Sequence, residues 1–233
     1  MTRKVEHPTL GTVTLCRRLR MRRIVLSVLR DGSLRVSYPF GVSSARALDF
    51  AESRAEWIGK ARERQLSRTS GISYTDGMRT RAHTLRIVPA NGKRISVRIT
   101  DTEAIVSHPA ASPAEEIKKA AQRAYTEALR AEATAFLPQR LSLLARQHGF
   151  EYGKVRIKAL RSKWGSCTAN GDINLSLYLM TLPDNLVDFV LLHELCHTVH
   201  HNHSARFHDL LDRLCDGEEK TLARLLSKHR PPV

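Results

Sequence analysis

The feature that most constrains this chain is a pair of histidines, four residues apart, near its C-terminal end. His193 is followed directly by Glu194, and His197 completes the pattern H-E-x-x-H. On a helix, residues i and i+4 lie on the same face, so the two imidazoles could hold one metal ion. Glu194 could then take a proton from a water molecule at that ion. A catalytic zinc needs three protein ligands, so a third must come from beyond the helix.

Two later histidines are candidates for the third ligand. His200 shares the face of His193, but on an intact helix the two lie about 10 Å apart along the axis. One ion with Zn–N bonds of about 2.0–2.1 Å cannot bind both. Asn202 tolerates the left-handed conformation that ends a helix, and His203 follows it. The spacing equals that of the metzincin motif H-E-x-x-H-x-x-G-x-x-H, although His200 stands where that motif has its glycine.

Other interpretations of this segment stay open. Glu218 and Glu219 lie 21 and 22 residues beyond His197, as a gluzincin third ligand would. The histidines could instead be solvated on an amphipathic helix, but an apolar run from Val187 leads straight into His193, where unpartnered polar groups are costly. A purely structural metal, with a fourth ligand closing the site, is a further alternative.

The charge of the chain is unusual although its apolar content is ordinary. Its 233 residues carry a net charge of +15 and a pI near 10.3. Such a surface favours polyanionic surroundings, nucleic acid among them, although charge can also serve solubility alone. The best local candidate for phosphate contact, or for a charged sheet edge, is a cluster of arginines: Arg17, Arg18, Arg20, Arg22 and Arg23.

The cysteine pattern and hydropathy predict a reducing, cytoplasmic location. The N-terminus lacks the apolar core of a signal peptide, and no stretch approaches the roughly 20 apolar residues of a membrane helix. No membrane partner is therefore expected. Neither a C-x-x-C pair nor a disulfide framework is formed by the four cysteines, Cys16, Cys167, Cys196 and Cys215.

The pattern along the chain predicts an α+β fold in two parts. Residues 1–108 form an N-terminal β-rich subdomain with one helix, which Ser43 or Ser44 could cap and which continues to about Ser67. Alternating or β-branched segments predict strands at residues 12–15, 24–29, 34–38, 84–88 and 94–99.

The second part, residues 109–233, contains long helices, a small sheet and the H-E-x-x-H helix. A capping box at Ser112–Glu115 begins a long alanine-rich helix, which Pro138 kinks or breaks. A strand from Ile173 to about Met180 follows, and Pro183 opens the helix that carries the histidines.

Four segments of this second part carry a wider pattern: R-S-K-W-G-S-C at 161–167, D-I-N-L-S at 172–176, H-E-L-C-H at 193–197 and N-H-S-A-R-F-H at 202–208. Together with R-R-L-R-M-R-R-I-V-L-S-V near the start, they resemble the YgjP-like metallopeptidase family. That family, formerly a domain of unknown function, is similar to the SprT-like and minimal zincin proteases. The resemblance extends over residues 15–225 and is most specific in the C-terminal third.

The resemblance implies a zincin-like catalytic domain. It also implies zinc bound by His193, His197 and His203, with Glu194 as the base. One departure is His208, at a position where the family has tryptophan after the phenylalanine; it concerns packing more than chemistry.

Substrate contacts are predicted at two places. Zinc proteases commonly pair an exposed strand with the substrate backbone, and Ile173–Met180 could do this, with Asn174 and Ser176 as candidate contacts. Alternatively, this strand lies inside the sheet. The resemblance places the loop Trp164–Cys167 close to the zinc, with Trp164 as a candidate contact. Alternatively, this loop is a structural corner with its tryptophan in the core.

Further roles follow from residue chemistry alone. Cys167 does not match a papain-type nucleophile signature. Asp209 or Asp212 could orient a ligand imidazole. The oxyanion could be stabilised by any of four residues, Arg161, Lys163, His200 and His201.

The sequence therefore predicts a cytoplasmic zinc metallopeptidase that hydrolyses protein or peptide substrates. Glu194 would deprotonate the attacking water and deliver the proton to the leaving amine. The alternative is a nucleic-acid-associated protease, or a DNA-binding protein, that acts on DNA-bound partners; the net charge of +15 and the SprT-like similarity suggest it.

Overall fold

The computed structural model describes residues 2–29, 31–69 and 73–231. Contacts between Cα atoms divide the chain into two units, Met1–Gly71 and Ile72–Pro232. The fold is mixed α+β, as the alternation of short strands and long helices predicts.

A four-stranded sheet and two helices make up the N-terminal unit. The strands are β1 (Thr2–His7), β2 (Gly11–Arg18), β3 (Val25–Val28) and β4 (Leu34–Pro39), in the order β1-β2-β4-β3. The helices are α1 (Ser44–Glu52) and α2 (Ala55–Thr69). Period-2 burial along β4 places Leu34, Val36 and Tyr38 in a core with Ala47 and Ile58 of the helices.

One helix was expected where the structure has two. Ser43 caps α1 as predicted, since its Oγ accepts a hydrogen bond from the Arg46 amide at 3.2 Å. The chain turns at Ser53, however, and α2 begins at Ala55.

The second unit begins earlier than the expected boundary at residue 108. The strands β5 (Thr84–Pro89), β6 (Ser96–Ile99) and β7 (Glu103–His108) form a sheet in the order β5-β7-β6. This sheet packs on the helix α3 (Ala114–His148), with Leu85 and Val106 against Ala121, Ala124 and Ala128. Small side chains let helix and sheet approach closely, so the three strands belong with the C-terminal elements.

Helix α3 is continuous over 35 residues and includes Pro138. Its N-cap is Pro113 and no side chain caps it, so the predicted capping box with Ser112 is not formed. Gly149 ends the helix at φ +71°, in the left-handed conformation that glycine adopts without strain. In the part of the chain that the structure describes, no helix is long and apolar enough to cross a membrane.

A third sheet precedes the histidine-bearing helix. Its strands are β8 (Val155–Lys158), β9 (Gly165–Cys167) and β10 (Ile173–Ser176), in the order β8-β10-β9. A 3₁₀ turn, Leu177–Thr181, leads into α4 (Asp184–Val199), and α5 (Ala205–Leu214) and α6 (Glu219–Leu226) follow. Because β8 and β9 pair with both edges of β10, the prediction that this strand binds the substrate backbone is wrong.

Two arginines hold α4 from outside the core. Arg81 pairs with Asp184 at the first turn of α4, and its Nε donates to the Met180 carbonyl at 3.1 Å. Arg140 of α3 donates to both carboxylate oxygens of Asp188, at 2.7 and 2.6 Å. A two-point contact of this kind fixes orientation as well as distance.

A buried carboxylate on α3 gives the first prediction. Glu132 is buried and accepts hydrogen bonds from His83 Nδ1 at 2.8 Å, from the Ala82 amide at 2.9 Å and from the Thr80 hydroxyl. We expect Glu132→Ala to lower the free energy of unfolding by about 3 kcal/mol, because the His83 ring and the Ala82 amide then lose their acceptor inside the protein. Urea unfolding followed by circular dichroism measures the change.

The matched control is Glu127→Ala, which removes an exposed carboxylate from the same helix; we expect a change within about 0.5 kcal/mol. Burial acts to raise the pKa of Glu132, but the hydrogen bonds outweigh it and lower that pKa below 4.5. The stability difference between wild type and Glu132→Gln should therefore be full above pH 4.5 and shrink as the pH falls through the lowered pKa. A difference that grows on acidification would contradict this.

Candidate metal centre and active site

The three predicted histidines converge at the C-terminal end of α4. His193 and His197 lie one turn apart, and their Nε2 atoms are 3.2 Å from each other. His203 Nε2 lies 3.2 Å from His193 Nε2. One ligand atom from each of the three lies within 4.8 Å of the others.

The chain returns His203 to the cluster by a different turn from the expected one. The C-cap of α4 is His200, with φ −122° and ψ 99°, so the helix ends in extended backbone. Among the described residues, Asp216 is the only one other than glycine with a positive φ, and the predicted left-handed turn at Asn202 is therefore wrong. Ser204 is then the N-cap residue of α5, and its carbonyl accepts from the Phe207 amide at 3.0 Å, so only a few residues separate the two helices.

These distances fit a metal ion. Two nitrogens that bind one tetrahedral zinc at about 2.0–2.1 Å lie about 3.3 Å apart. Burial, followed by the neighbouring histidines, lowers the pKa of His193 to about 4. A neutral imidazole has the free lone pair that a metal needs. The donor set and its spacing therefore suit a transition metal with a preference for nitrogen ligands.

A phenylalanine that sequence reasoning did not single out supports the three imidazoles. The ring of Phe207 in α5 is fully buried, and its centroid lies 4.9, 4.6 and 4.8 Å from those of His193, His197 and His203. Edge-to-face and tilted contacts with one rigid ring fix all three orientations. The only sequence signal for it is its place in N-H-S-A-R-F-H.

The hydrogen bond that orients His197 comes from the backbone. Its Nδ1–H donates to the His200 carbonyl at 3.1 Å, which leaves Nε2 free for a metal. Neither predicted aspartate orients a ligand. Asp212 accepts from the Glu219 amide at 3.2 Å, while the Asp209 carbonyl accepts from Arg213.

Glu194 is buried beside the histidines, with only 4% of its surface exposed. Its Oε2 has no hydrogen-bond partner among the described residues, and burial raises its pKa to about 7. The carboxylate packs directly on Gly165 of β9. A Cβ added at Gly165 would lie 2.5 Å from Glu194 Oε1 and 2.7 Å from its Cγ, so only glycine fits there.

A cleft of about 420 Å³ joins these groups. Residues 165–169, Glu194, His201 and the three clustered histidines line it. Among the four oxyanion candidates, His201 reaches this lining, and its Nδ1–H donates to the His197 carbonyl at 3.1 Å. Cys167 of β9 is also part of this lining. Burial, with the nearby charge of Glu194, raises the pKa of this thiol, which does not favour a nucleophile.

The predicted substrate contacts lie outside this lining. Trp164 is half-buried and packs on the core, which agrees with the alternative that this loop is a structural corner. Its carbonyl accepts a hydrogen bond from the Ser176 amide at 2.8 Å. Ser176 is fully buried, and its Oγ donates to the Leu160 carbonyl at 2.9 Å. Asn174 is buried in the central strand β10.

The glutamates of the gluzincin alternative do not join the histidine cluster. Glu219 lies 2.6 Å from His208 Nδ1 and so forms an ion pair when that imidazole is protonated. Glu218 is the N-cap residue of α6. The geometry favours His203 as the third member of the site.

The family comparison agrees with this site. The family profile of the YgjP-like metallopeptidase domain matches residues 22–229. Fold, site and match together define the class of the protein as a metallopeptidase. The chain belongs to the YgjP-like metallopeptidase family, as the segments around residues 161–208 predict.

Two solved structures are also similar, and no curated protein matches. The first is the metallopeptidase zymogen of Pyrococcus abyssi abylysin. It is 25% identical, the match covers 42% of this chain and 100% of that one, and the TM-score is 0.37. The second is the zymogen of Methanocaldococcus jannaschii jannalysin, 21% identical over 38% of this chain and 95% of that one, with a TM-score of 0.32.

The cluster predicts which side chains a bound metal requires. His203→Ala should reduce the metal content of purified protein from about one ion per chain to a small fraction, since two imidazoles hold zinc far less tightly than three. Glu219→Ala should leave it unchanged. Elemental analysis after dialysis measures both, and metal depletion in Glu219→Ala with retention in His203→Ala would overturn the three-histidine assignment.

Proposed function

We propose that the protein is a zinc-dependent peptidase in which His193, His197 and His203 hold the metal and Glu194 is the general base. The observation that carries the proposal is the buried carboxylate of Glu194, which lines the same cleft as the three imidazoles. Zinc suits a three-imidazole site that leaves one position open. When bound, it would polarise the substrate carbonyl and lower the pKa of a coordinated water.

The surroundings of Glu194 suit a group that both accepts and donates a proton. A base works best when its pKa lies near the working pH, and burial raises the pKa of Glu194 to about 7. The carboxylate would take a proton from the attacking water and deliver it to the leaving amine. Its unpartnered Oε2 has no hydrogen bond to break first.

We assign the substrate backbone to β9 instead of β10. Strand β9 is an edge strand of the described sheet: one side of β9 pairs with β10, and no described strand pairs with the other side. Its residues Gly165 to Cys167 line the cleft. An extended peptide could therefore add as a further strand beside Glu194, with hydrogen bonds from its main chain.

The role of the Glu194 carboxylate can be tested with glutamine, which has nearly the same shape but no charge. Glu194→Gln should lower the hydrolysis of a quenched fluorescent peptide by about 100-fold or more, because an amide cannot accept the proton of the attacking water. Its zinc content should equal that of the wild type, because the three imidazoles remain. Full activity in a zinc-loaded Glu194→Gln variant would exclude Glu194 as the base, and no hydrolysis by zinc-loaded wild type over a broad peptide library would contradict the proposed function.

Gly165 gives a second test, through the position of the carboxylate. The Cβ of Gly165→Ala would displace Glu194, and a displacement of about 1 Å costs about 100-fold in rate. Metal content should stay at the wild-type level. The matched control is Gly41→Ala, where an added Cβ meets nothing within 4 Å; its rate should equal that of the wild type.

A further inference from the structure

The N-terminal unit carries a second, separate concavity of about 470 Å³. Residues 23–26 form one side, and Phe50 of α1, Trp57 of α2 and Arg54 from the turn between them form the other. We call this the β3 groove, since residues of β3, one of the two edge strands of the described sheet, line it. Its lining is mainly apolar, yet Trp57 remains 45% exposed. An aromatic ring that stays exposed in an apolar groove often marks a binding surface.

The N-terminal unit that contains the groove is strongly basic. Residues 1–71 contain fifteen Lys and Arg against six Asp and Glu, so most of the net charge of +15 belongs to this unit. Two exposed arginines, Arg23 and Arg54, line the groove, and within the described residues neither belongs to an ion pair. Three more exposed arginines precede Arg23 along the chain and are also outside these ion pairs: Arg18, Arg20 and Arg22.

Arg17 differs from the other arginines of the predicted cluster. It is half-buried, its guanidinium lies 4.7 Å from the centroid of the Phe40 ring, and it donates to the Val42 carbonyl at 3.3 Å. These contacts hold the chain after β4, so Arg17 is a structural residue. Arg54, by contrast, lines the groove, and its guanidinium lies 5.8 Å from the centroid of the Phe50 ring.

We propose that the β3 groove binds single-stranded nucleic acid, with bases stacked on Trp57 and phosphates on the surrounding arginines. Guanidinium groups match phosphate geometry and also stack on bases, which a lysine does less well. Exposed aromatic rings in a positive groove are the usual platform for unpaired bases. A duplex keeps its bases stacked on each other, so it could use the arginines but not the apolar floor.

An acidic peptide is the competing occupant, because it could add to the edge of β3. The groove favours nucleic acid because two exposed guanidinium groups, of Arg23 and Arg54, border an apolar lining that contains the exposed Trp57 ring. A peptide would need a carboxylate for each of them, whereas a nucleic acid brings a phosphate with every base. The groove belongs to the N-terminal unit alone, so binding there is independent of the metal and of peptide hydrolysis.

Fluorescence anisotropy with a labelled oligothymidylate tests the stacking contact on the full-length protein. Wild type should bind it more tightly than a duplex of the same length or polyglutamate of the same charge. Trp57→Ala should weaken binding by about tenfold, and Trp57→Phe should recover most of it, because the ring remains. Equal binding by wild type and Trp57→Ala, or equal or tighter binding of the duplex or of polyglutamate, would overturn the proposal.

The salt dependence tests the phosphate contacts. The slope of log affinity against log salt should fall in the double variant Arg23→Ala, Arg54→Ala, which removes the two arginines that line the groove, by about 0.7 for each phosphate that an arginine no longer neutralises. The matched control removes two exposed arginines of the other unit, Arg94→Ala with Arg98→Ala, and should keep the wild-type slope. An equal fall in both double variants would show that only total charge matters, which would contradict binding in the groove.

Tryptophan fluorescence provides an internal probe, because the sequence contains just two tryptophans, Trp57 and Trp164. Oligothymidylate should quench the fluorescence of wild type and of Trp164→Phe alike. Trp57→Phe should show no quenching while it still binds the labelled strand. Quenching that survives in Trp57→Phe would place the nucleic acid elsewhere and contradict the assignment. Thermal unfolding of each variant, expected to match the wild type, shows that the fold is intact.

Discussion

The burial of Glu194 between α4 and β9 is the constraint on which the rest of the site depends. Helix α4 is apolar on most of its surface, with Leu186, Val190 and Leu195 all buried, so it lies inside the core. The helix also places the Glu194 carboxylate in the interior, where a carboxylate oxygen without a hydrogen-bond partner is costly. The packing of many apolar side chains around α4 offsets that cost. The raised pKa of Glu194 is the chemical result.

The same packing explains why Gly165 stands at the start of β9. A side chain at this position would occupy the space of the Glu194 carboxylate. The sheet therefore approaches α4 to within contact of the acid and also forms a wall of the cleft. Gly165 therefore lets β9 lie in contact with Glu194, as the proposed binding of a peptide along this strand requires.

The histidine cluster depends on a short reversal of the chain. His200 leaves the helix in extended backbone, its carbonyl orients His197, and α5 then brings Phe207 beneath the imidazoles. The His200 carbonyl and the Phe207 ring thus fix the orientations of the imidazoles, as the proposed metal site requires. Preorganisation of this kind reduces the cost of ordering side chains on binding. The aspartate partners expected near the ligands are not needed for it.

The sequence by itself determined that His193 and His197 stand together on one helix, because their i, i+4 spacing places both on one face wherever that helix lies. Ser43 as a cap and the short β-branched strands were equally predictable, since these signals are local. Tertiary structure alone decided that β10 is the interior strand and β9 an edge strand, because strand order depends on pairing between distant segments. It also decided that strands β5 to β7 belong with α3, where small alanines allow contact, and that Phe207 supports the histidines. Such contacts depend on shape and distance in three dimensions, and no spacing along the chain encodes them.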